Sequence, residues 1–371
     1  MELNKSEFRE VENLFKDFRH HISIKGVIDG YVEGRIFADI NRLSAVAVTP
    51  EGIFLSDGLK NEAFSREMNT VIKADILPKY EEEDALDYVV FYSPNNNCEN
   101  QLNIMFDGLN PMKSKRMTFS NDMLNVETVL SEGIYSLDKE LFTKTELLGL
   151  DWVIDEILDG WVSVDDFLSR GFGCVAIVND KIIGWCLTDW VVGDECEIGI
   201  ETHPKYQKQG FGRKMANATL ALAKNMGMKR TGWQCWTDNA GSIATAKSVG
   251  FKLLKEFEVF FGWANKLNNM LINGNYYMFG KTNLNIGPAD FKRSAWSYSQ
   301  ALDKGWDWDG DPSLYWNCAC MFYKSGEIKQ AKHYYRLAIE KGWHGIEPHV
   351  NNPHVYTEHD SKEILICLTE V

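Results

Sequence analysis

The chain has 371 residues, 44% of them apolar and 25% charged, with a formal net charge of −14 at pH 7. That composition suits a soluble globular protein of two or three domains, and the acidic balance disfavours nucleic acid and anionic membranes while admitting a cationic, amine-bearing substrate. No apolar run reaches the roughly 18 to 20 residues that span a bilayer, and the opening Met-Glu-Leu-Asn-Lys-Ser-Glu-Phe-Arg-Glu has no apolar secretory core, so a cytoplasmic location is expected.

In chain order, Phe8, Val11, Phe15 and Phe18 share one face of an amphipathic helix from Ser6 to His20. Strand patterns follow at Arg35 to Ile40, Ser44 to Val48 and Ile53 to Leu55. A helix from Asn61 to Ile76 is expected to break at Pro78, and Tyr88 to Tyr92 reads as a strand. Asn95-Asn96-Asn97 then precede a helix to Gly108 and a strand near Met117 to Phe119. Helices are expected over Lys144 to Leu158 and Val164 to Ser169, with Asp165 and Asp166 favouring the dipole of the second. Cys174 to Val178 and Ile182 to Trp190 form a hairpin pattern around Asn179-Asp180. The eight cysteines include no Cys-x-x-Cys pair and are expected to be buried free thiols.

The stretch from Glu195 to Gly212 organises the chain. Glu195, Glu197, Gly199 and Glu201 alternate with Cys196, Ile198, Ile200 and Thr202, the period of a strand, which Pro204 ends. A short loop delivers Gln207-Lys208-Gln209-Gly210-Phe211-Gly212, and a helix is expected from Arg213, with Met215, Leu222 and Met226 as its apolar stripe and Gly227 as its stop. Glycines at 210 and 212 let the backbone approach a bulky anion, and the first amides of the helix have no intrahelical acceptor. Lys205, Lys208, Arg213 and Lys214 add positive charge there, so the stretch reads as a pyrophosphate cradle. An ordinary glycine-rich turn is the alternative that two glycines alone leave open. There is no Gly-Lys-Ser/Thr of a P-loop, and the third glycine of a dinucleotide fingerprint falls on Met215.

Beyond the cradle, Arg230 to Trp236 reads as a second strand, and Asn239 opens a second helix that ends at Gly250-Phe251. Strand, Gln-x-x-Gly-x-Gly loop, helix, strand, Asn, helix, Gly-Phe closely resembles the acetyl-coenzyme A half of the GNAT N-acetyltransferase superfamily. Within it, Glu-Ile-Gly-Ile-Glu-Thr and the run Trp233-x-Cys235-x-x-x-Asn239 resemble the zwittermicin A resistance acetyltransferases. The resemblance implies that backbone groups of Ile198, Ile200 and Thr202 hold the pantetheine arm and polarise the thioester. It also implies that Gln207, Lys208, Gln209, Gly210, Phe211, Gly212 and Arg213 hold the pyrophosphate, with Asn239 near the arm, and that the helices before the hairpin cover the acceptor cleft. Glu195, Glu197 and Glu201 share a strand face, where mutual repulsion would raise at least one pKa toward neutrality, and one of them is expected to take the amine proton, with Glu197 and Glu201 preferred. A polar face without catalytic duty is the alternative. The tyrosine that family members carry four residues before Gly-Phe, to protonate the departing thiolate, is Ala246 here.

The order of the N-terminal elements parallels this half: one offset of 142 relates Asn97 to Asn239 and Gly108 to Gly250. A degenerate copy is therefore expected, with Ser56-Asp57-Gly58-Leu59-Lys60-Asn61 in place of the cradle; two unrelated α/β units sharing a spacing are the alternative. Ser294, Tyr298, Ala301 and Trp306 recur as Ala331, Tyr335, Ala338 and Trp343 at a shift of 37, near the tetratricopeptide period. Leu314 to Tyr323 would supply the intervening helix, and Trp306, Trp316 and Trp343 are expected to pack the last helices onto the catalytic domain. The expected fold is mixed α/β: a degenerate GNAT-like domain over 1–125, the acetyl-CoA-binding catalytic domain over 126–284, and tetratricopeptide-like helices over 285–371.

His344, His349, His354 and His359 recur every five residues, a spacing of neither a helix face nor a zinc signature, so no metal is expected. The function so implied is acetyl-CoA-dependent transfer to a primary amine of a small molecule, an aminopolyol antibiotic being one, with resistance or detoxification as the outcome. A protein N-acetyltransferase and a non-catalytic CoA-sensing interaction module are the alternatives; the oligomeric state is not legible.

Overall fold

The computed structural model describes residues 1–56, 61–82, 88–94, 99–122, 131–280, 288–344 and 358–369. Short runs rich in β-branched and aromatic residues form its strands: β1 (Arg35–Ala38), β2 (Ala45–Thr49), β3 (Gly52–Leu55), β4 (Tyr88–Tyr92), β5 (Met112–Asn121), β6 (Ile134–Ser136), β7 (Gly173–Val178), β8 (Lys181–Val192), β9 (Glu195–Thr202), β10 (Arg230–Trp236) and β11 (Lys252–Trp263). They form one sheet in the order β1-β2-β3-β4-β11-β5-β10-β9-β8-β7-β6. β3 pairs with β4, and β9 with β10, in parallel; β1–β2, β2–β3, β5–β10, β6–β7, β7–β8 and β8–β9 are antiparallel. The described chain divides into two compact units. The first comprises Met1–Phe64, Phe91–Gln101 and Lys115–Val259; the second comprises Ser65–Val90, Leu102–Ser114 and Phe260–Val371.

In the first unit, alternation buries both faces of the central strands. Cys186, Ile198 and Trp233 pack with Met215 and Ala216 of the helix Phe211–Asn225, while Trp185 and Leu187 pack with Val153 and Ile157 of the helix Leu150–Gly160. The helix Ile22–Asp29 packs on β8 and β9, so N-terminal residues cover part of the glutamate face of β9. The β7–β8 hairpin turns at Asn179 and Asp180, with φ of 50° and 57°, the left-handed pair that a two-residue turn demands.

Several elements depart from the sequence pattern. The N-terminal helix buries Phe8, Val11, Phe15 and Phe18 as expected, but it is a tight 3₁₀ helix over Lys5–Phe18 with a kink at Phe15. Leu150–Gly160 starts later than Lys144: Leu148 bonds across to Asp180 and Ile182, and Gly149, at φ 84°, turns the chain before the helix can begin. Met226 is exposed instead of completing a buried stripe, because the helix is already capped there. In the second unit, Pro78 does not end its helix. A π turn over Ile72–Ile76 precedes it and Pro78 falls in the first turn of Leu77–Glu82, where a widened ladder tolerates a missing donor. Trp316 and Trp343 stack 4.2 Å apart inside the second unit's own core, and Trp306 is partly exposed with its Nε1 donating to Asn268. Asp57 to Lys60 and Asn95 to Asn97, on which the comparison of the two halves partly rests, lie outside the described residues.

Candidate active site

The parallel ladder of β9 and β10 is short. Arg230, Thr231 and Gly232 pair with Glu195, Cys196 and Glu197, and there the pairing ends, although β9 runs on to Thr202 and β10 to Trp236. The His203 amide donates to the Ile183 carbonyl at 2.9 Å, which fixes the phase of the antiparallel β8–β9 ladder. Alternation then turns the backbone groups of Ile198, Ile200 and Thr202 away from β8, toward the opening between β9 and β10. The Gln207 side chain meets the last of these, donating to the Thr202 carbonyl at 3.1 Å.

At the end of β9 the chain makes a turn over Pro204–Tyr206, passes Lys208 at φ 60° and reaches Gly210 at φ 87°, the N-cap of the helix Phe211–Asn225. A Cβ built at Gly210 meets nothing within 4 Å, so its glycine answers to the left-handed backbone and to the space in front of it. Gln209 donates back to the Lys205 carbonyl at 3.0 Å, and the Lys214 ammonium lies 5.6 Å over the Phe211 ring. A cavity of about 670 Å³ opens there. Ile200, Thr202, Gln207, Lys208, Gly210, Phe211, Gly212, Arg213 and Asn239 of the expected cofactor residues line it, with Glu201; Ile198 and Gln209 do not. Asn239 caps the helix Ala240–Ser248, its Oδ1 accepting from the Ser242 amide at 2.9 Å. The unpaired helix amides, the glycine approach and the basic side chains fit a pyrophosphate, and the open edge of β9 fits an amide-bearing arm.

The three glutamates of β9 have three different environments. Glu195 is bound by Arg230, whose Nε donates at 2.9 Å. Glu201 lies at the cavity wall, exposed. Glu197 is 2% exposed, its Oε2 has no hydrogen-bond partner among the described residues, and a Cβ at Gly232 would stand 3.0 Å from that oxygen. Burial, then the nearby Glu51 carboxylate, pushes Glu197 up to about 8. The expected mutual repulsion of the three is thus corrected: desolvation and an N-terminal carboxylate raise Glu197.

Sequence reasoning missed the groups around it. Glu51, between β2 and β3, is buried and held by His21 Nδ1 at 2.5 Å, by the Ser23 hydroxyl and by Gln234 Nε2 at 2.7 Å. Burial opposes its charge, yet His21 and Ser23 hold it down at about 2. Asp189 sits at the irregularity where β8 slips against β9, its Oδ1 only 2.6 Å from where a Cβ of Gly199 would stand. Burial, then Glu156, Glu197 and Glu51, pushes Asp189 well above the usual carboxylate range. Burial, then Asp159 and Glu201, pushes Glu156 up to about 7. The signal for Asp189 was Gly199, since a glycine inside a strand marks a close approach. Ala246 is buried beneath the cavity, whose hydroxyl-bearing residues are Tyr206, Thr202, Ser242, Thr245 and Ser248. Of the four spaced histidines, His349 and His354 lie outside the described residues. No group of three or more metal-ligating side chains occurs among the described residues.

A sheet split between parallel strands, with a glycine-capped helix at its mouth and a desolvated carboxylate at its root, defines an acyltransferase of the N-acetyltransferase type. The chain belongs to the GNAT acetyltransferase family, whose model matches residues 12–260. It is 22% identical over 267 residues to an uncharacterized N-acetyltransferase, YdfB, of Bacillus subtilis, covering 70% of this chain and 97% of that protein. Its fold is similar to that of a GCN5-related N-acetyltransferase-like protein from Streptococcus suis. That likeness has a TM-score of 0.52 and 18% identity over 70% of this chain and 98% of the other. A GCN5-related N-acetyltransferase from Sphaerobacter thermophilus matches with a TM-score of 0.42 and 9% identity, over 71% and 95% of the two chains.

Proposed function

We propose that the protein is a cytoplasmic enzyme that transfers the acetyl group of acetyl-CoA to a primary amine of a small molecule. The observation that carries this is the end of the β9–β10 ladder at Gly232 and Glu197, which leaves an open strand edge between the anion cradle and a buried carboxylate. The thioester supplies an activated acyl carbon: a C–N bond forms as the C–S bond breaks, the amine proton leaves to a base, and sulfur departs as thiolate. Backbone groups of Ile198, Ile200 and Thr202 would bind the pantetheine arm, and the residues from Gln207 to Arg213 the pyrophosphate. Glu197 is the preferred base. Its raised proton affinity matches a proton taken near neutral pH better than that of an ordinary carboxylate. With Ala246 in the acid position, the hydroxyls at the cavity are the groups available to the thiolate.

The resemblance to zwittermicin A resistance enzymes makes an aminopolyol antibiotic the first acceptor to test, with detoxification as the outcome. We read the N-terminal part, 1–125, as a degenerate copy of the catalytic half, 126–284. The two parallel pairs, β3–β4 and β9–β10, support that copy. We read 285–371 as tetratricopeptide-like packing, supported by the shared core of Tyr298, Ala301, Ala331 and Ala338 and by the burial of Ser294. The test is a thiol-release assay with acetyl-CoA over a panel of amines that includes aminopolyols. No thiol release with any of them would sink the enzymatic reading.

A further inference from the structure

A second cavity of the first unit, about 690 Å³, belongs to no part of the cradle. N-terminal residues Gly30 to Glu33 and Pro50 form one wall; Leu158 to Val162, from the end of the helix Leu150–Gly160, and Asp189 to Val191 of β8 form the other. We propose that this cavity is the acceptor pocket and that it takes an amine carrying two or more ammonium groups. The proposal rests on the reading of the β9–β10 split as the transfer site.

Charge argues first for a cation. Four carboxyl groups line the cavity, Glu33, Asp159, Asp166 and Asp189, with the guanidinium of Arg170. Burial keeps Asp189 protonated and Arg170 offsets Asp166, so the negative charge of the walls is that of Asp159 and of Glu33, whose exposed ion pair with Lys5 at 3.2 Å is screened by water. Arg170 is already committed, its Nε donating to Asp166 Oδ1 at 2.9 Å and its NH2 to Oδ2 at 2.6 Å. A concave wall of one sign focuses its field and concentrates the opposite charge.

The aromatic lining argues the same way. Tyr31, Trp161 and Trp190 contribute to the walls, and the Arg170 guanidinium lies 5.0 Å over the Trp161 ring, so this wall already stabilises one cation. The volume is that of a ligand of many atoms, and its carboxylates come from separate elements, which favours more than one ammonium.

Position joins this cavity to the split. Asp189 lines the cavity, and its carboxyl also lies against Gly199, between Glu197 and Glu201 on β9. Pro50 lines the opposite wall, and its neighbour Glu51 is the buried carboxylate that acts on Glu197. The N-terminal half thus contributes directly to where the amine is received.

The test uses the full chain and three calorimetric titrants: spermidine as a trication, triethylene glycol as a neutral chain, and coenzyme A. Spermidine is expected to bind, and triethylene glycol to bind far more weakly. The rim variant Glu33→Gln/Asp159→Asn should weaken spermidine at least about fivefold and Tyr31→Ala about threefold, at the scale of exposed charge and ring contacts. Both variants should leave coenzyme A affinity unchanged. Spermidine binding no tighter than the glycol, or unaltered in both variants, overturns the pocket even where coenzyme A still binds. Failure of the unsubstituted chain to bind coenzyme A instead overturns the reading of the split, and with it the route from this pocket to a transfer site.

Discussion

The cradle can be tested with one substitution, Gly210→Asp. Gly210 sits at φ 87°, where a Cβ would touch nothing within 4 Å, so the change introduces no clash in the free protein. The left-handed backbone costs a non-glycine residue about 1 kcal/mol, and aspartate both tolerates that region and is a favoured N-cap. The variant should therefore fold with nearly native stability. Its carboxylate, however, occupies the space in front of the helix amides and opposes phosphate charge. Losing one or two charge-assisted hydrogen bonds at ~1.5 to 3 kcal/mol each weakens coenzyme A by at least about tenfold, and by about 150-fold or more where both are lost. Gly227→Asp is the control: it has the same kind of backbone, φ 80° with open space, at the other end of the helix, and should leave the affinity alone. Calorimetric titration with coenzyme A measures the effect, and circular dichroism checks the fold. Native affinity in a folded Gly210→Asp protein would refute the cradle and the functional reading built on it.

Three further outcomes follow from buried charge and packing. Glu197→Gln should lower the acetyl-transfer rate by roughly 10²- to 10⁴-fold, the usual scale for a positioned base, and remove a rate rise centred near pH 8 in the unsubstituted enzyme. Because the folded pKa of Glu197 is raised from 4.5 to about 8, its contribution to stability is full below pH 4.5 and lost as pH rises through 8. Thermal melts of Glu197→Gln should accordingly lose less stability across that interval than the unsubstituted protein; an equal loss in both would count against this carboxyl. His20 behaves oppositely: burial, then His21, depresses it from 6.5 to about 3, so its contribution is present above pH 6.5 and lost as pH falls through 3. His20→Gln should move the midpoint of acid unfolding to lower pH, and an unchanged midpoint would exclude His20 as a trigger. Truncation after Asn283 removes the helices that cover Met270, Leu271 and Met278, now at most 2% exposed, at about 1.5 to 3 kcal/mol per side chain. The shortened chain should aggregate in light-scattering assays, and a soluble, active truncation would show those helices to be dispensable.

What could be read from the sequence alone was whatever depends on neighbours along the chain. The alternation of Glu195 to Thr202, the stop at Pro204, the glycine at the start of the cradle helix, the Asn239 cap and the Asn179-Asp180 turn all lie where expected. Each is set by φ preferences, a missing donor or a side chain within three residues, and such forces act the same way in any fold. The phase of β9 was legible for the same reason, since period 2 leaves its even-numbered residues one edge and one face. Tertiary structure decided the rest. Whether Glu195, Glu197 or Glu201 is paired, buried or exposed depends on Arg230, on Gly232 and on Glu51 from the far N-terminal part of the chain. Asp189 acquires its place from a slip between β8 and β9, and Pro78 survives inside a helical run because a π turn precedes it. Desolvation and Coulomb interaction sum over everything nearby in space, whatever its separation along the chain. The proton affinity of Glu197 is such a sum, and no window of the sequence contains all its contributors.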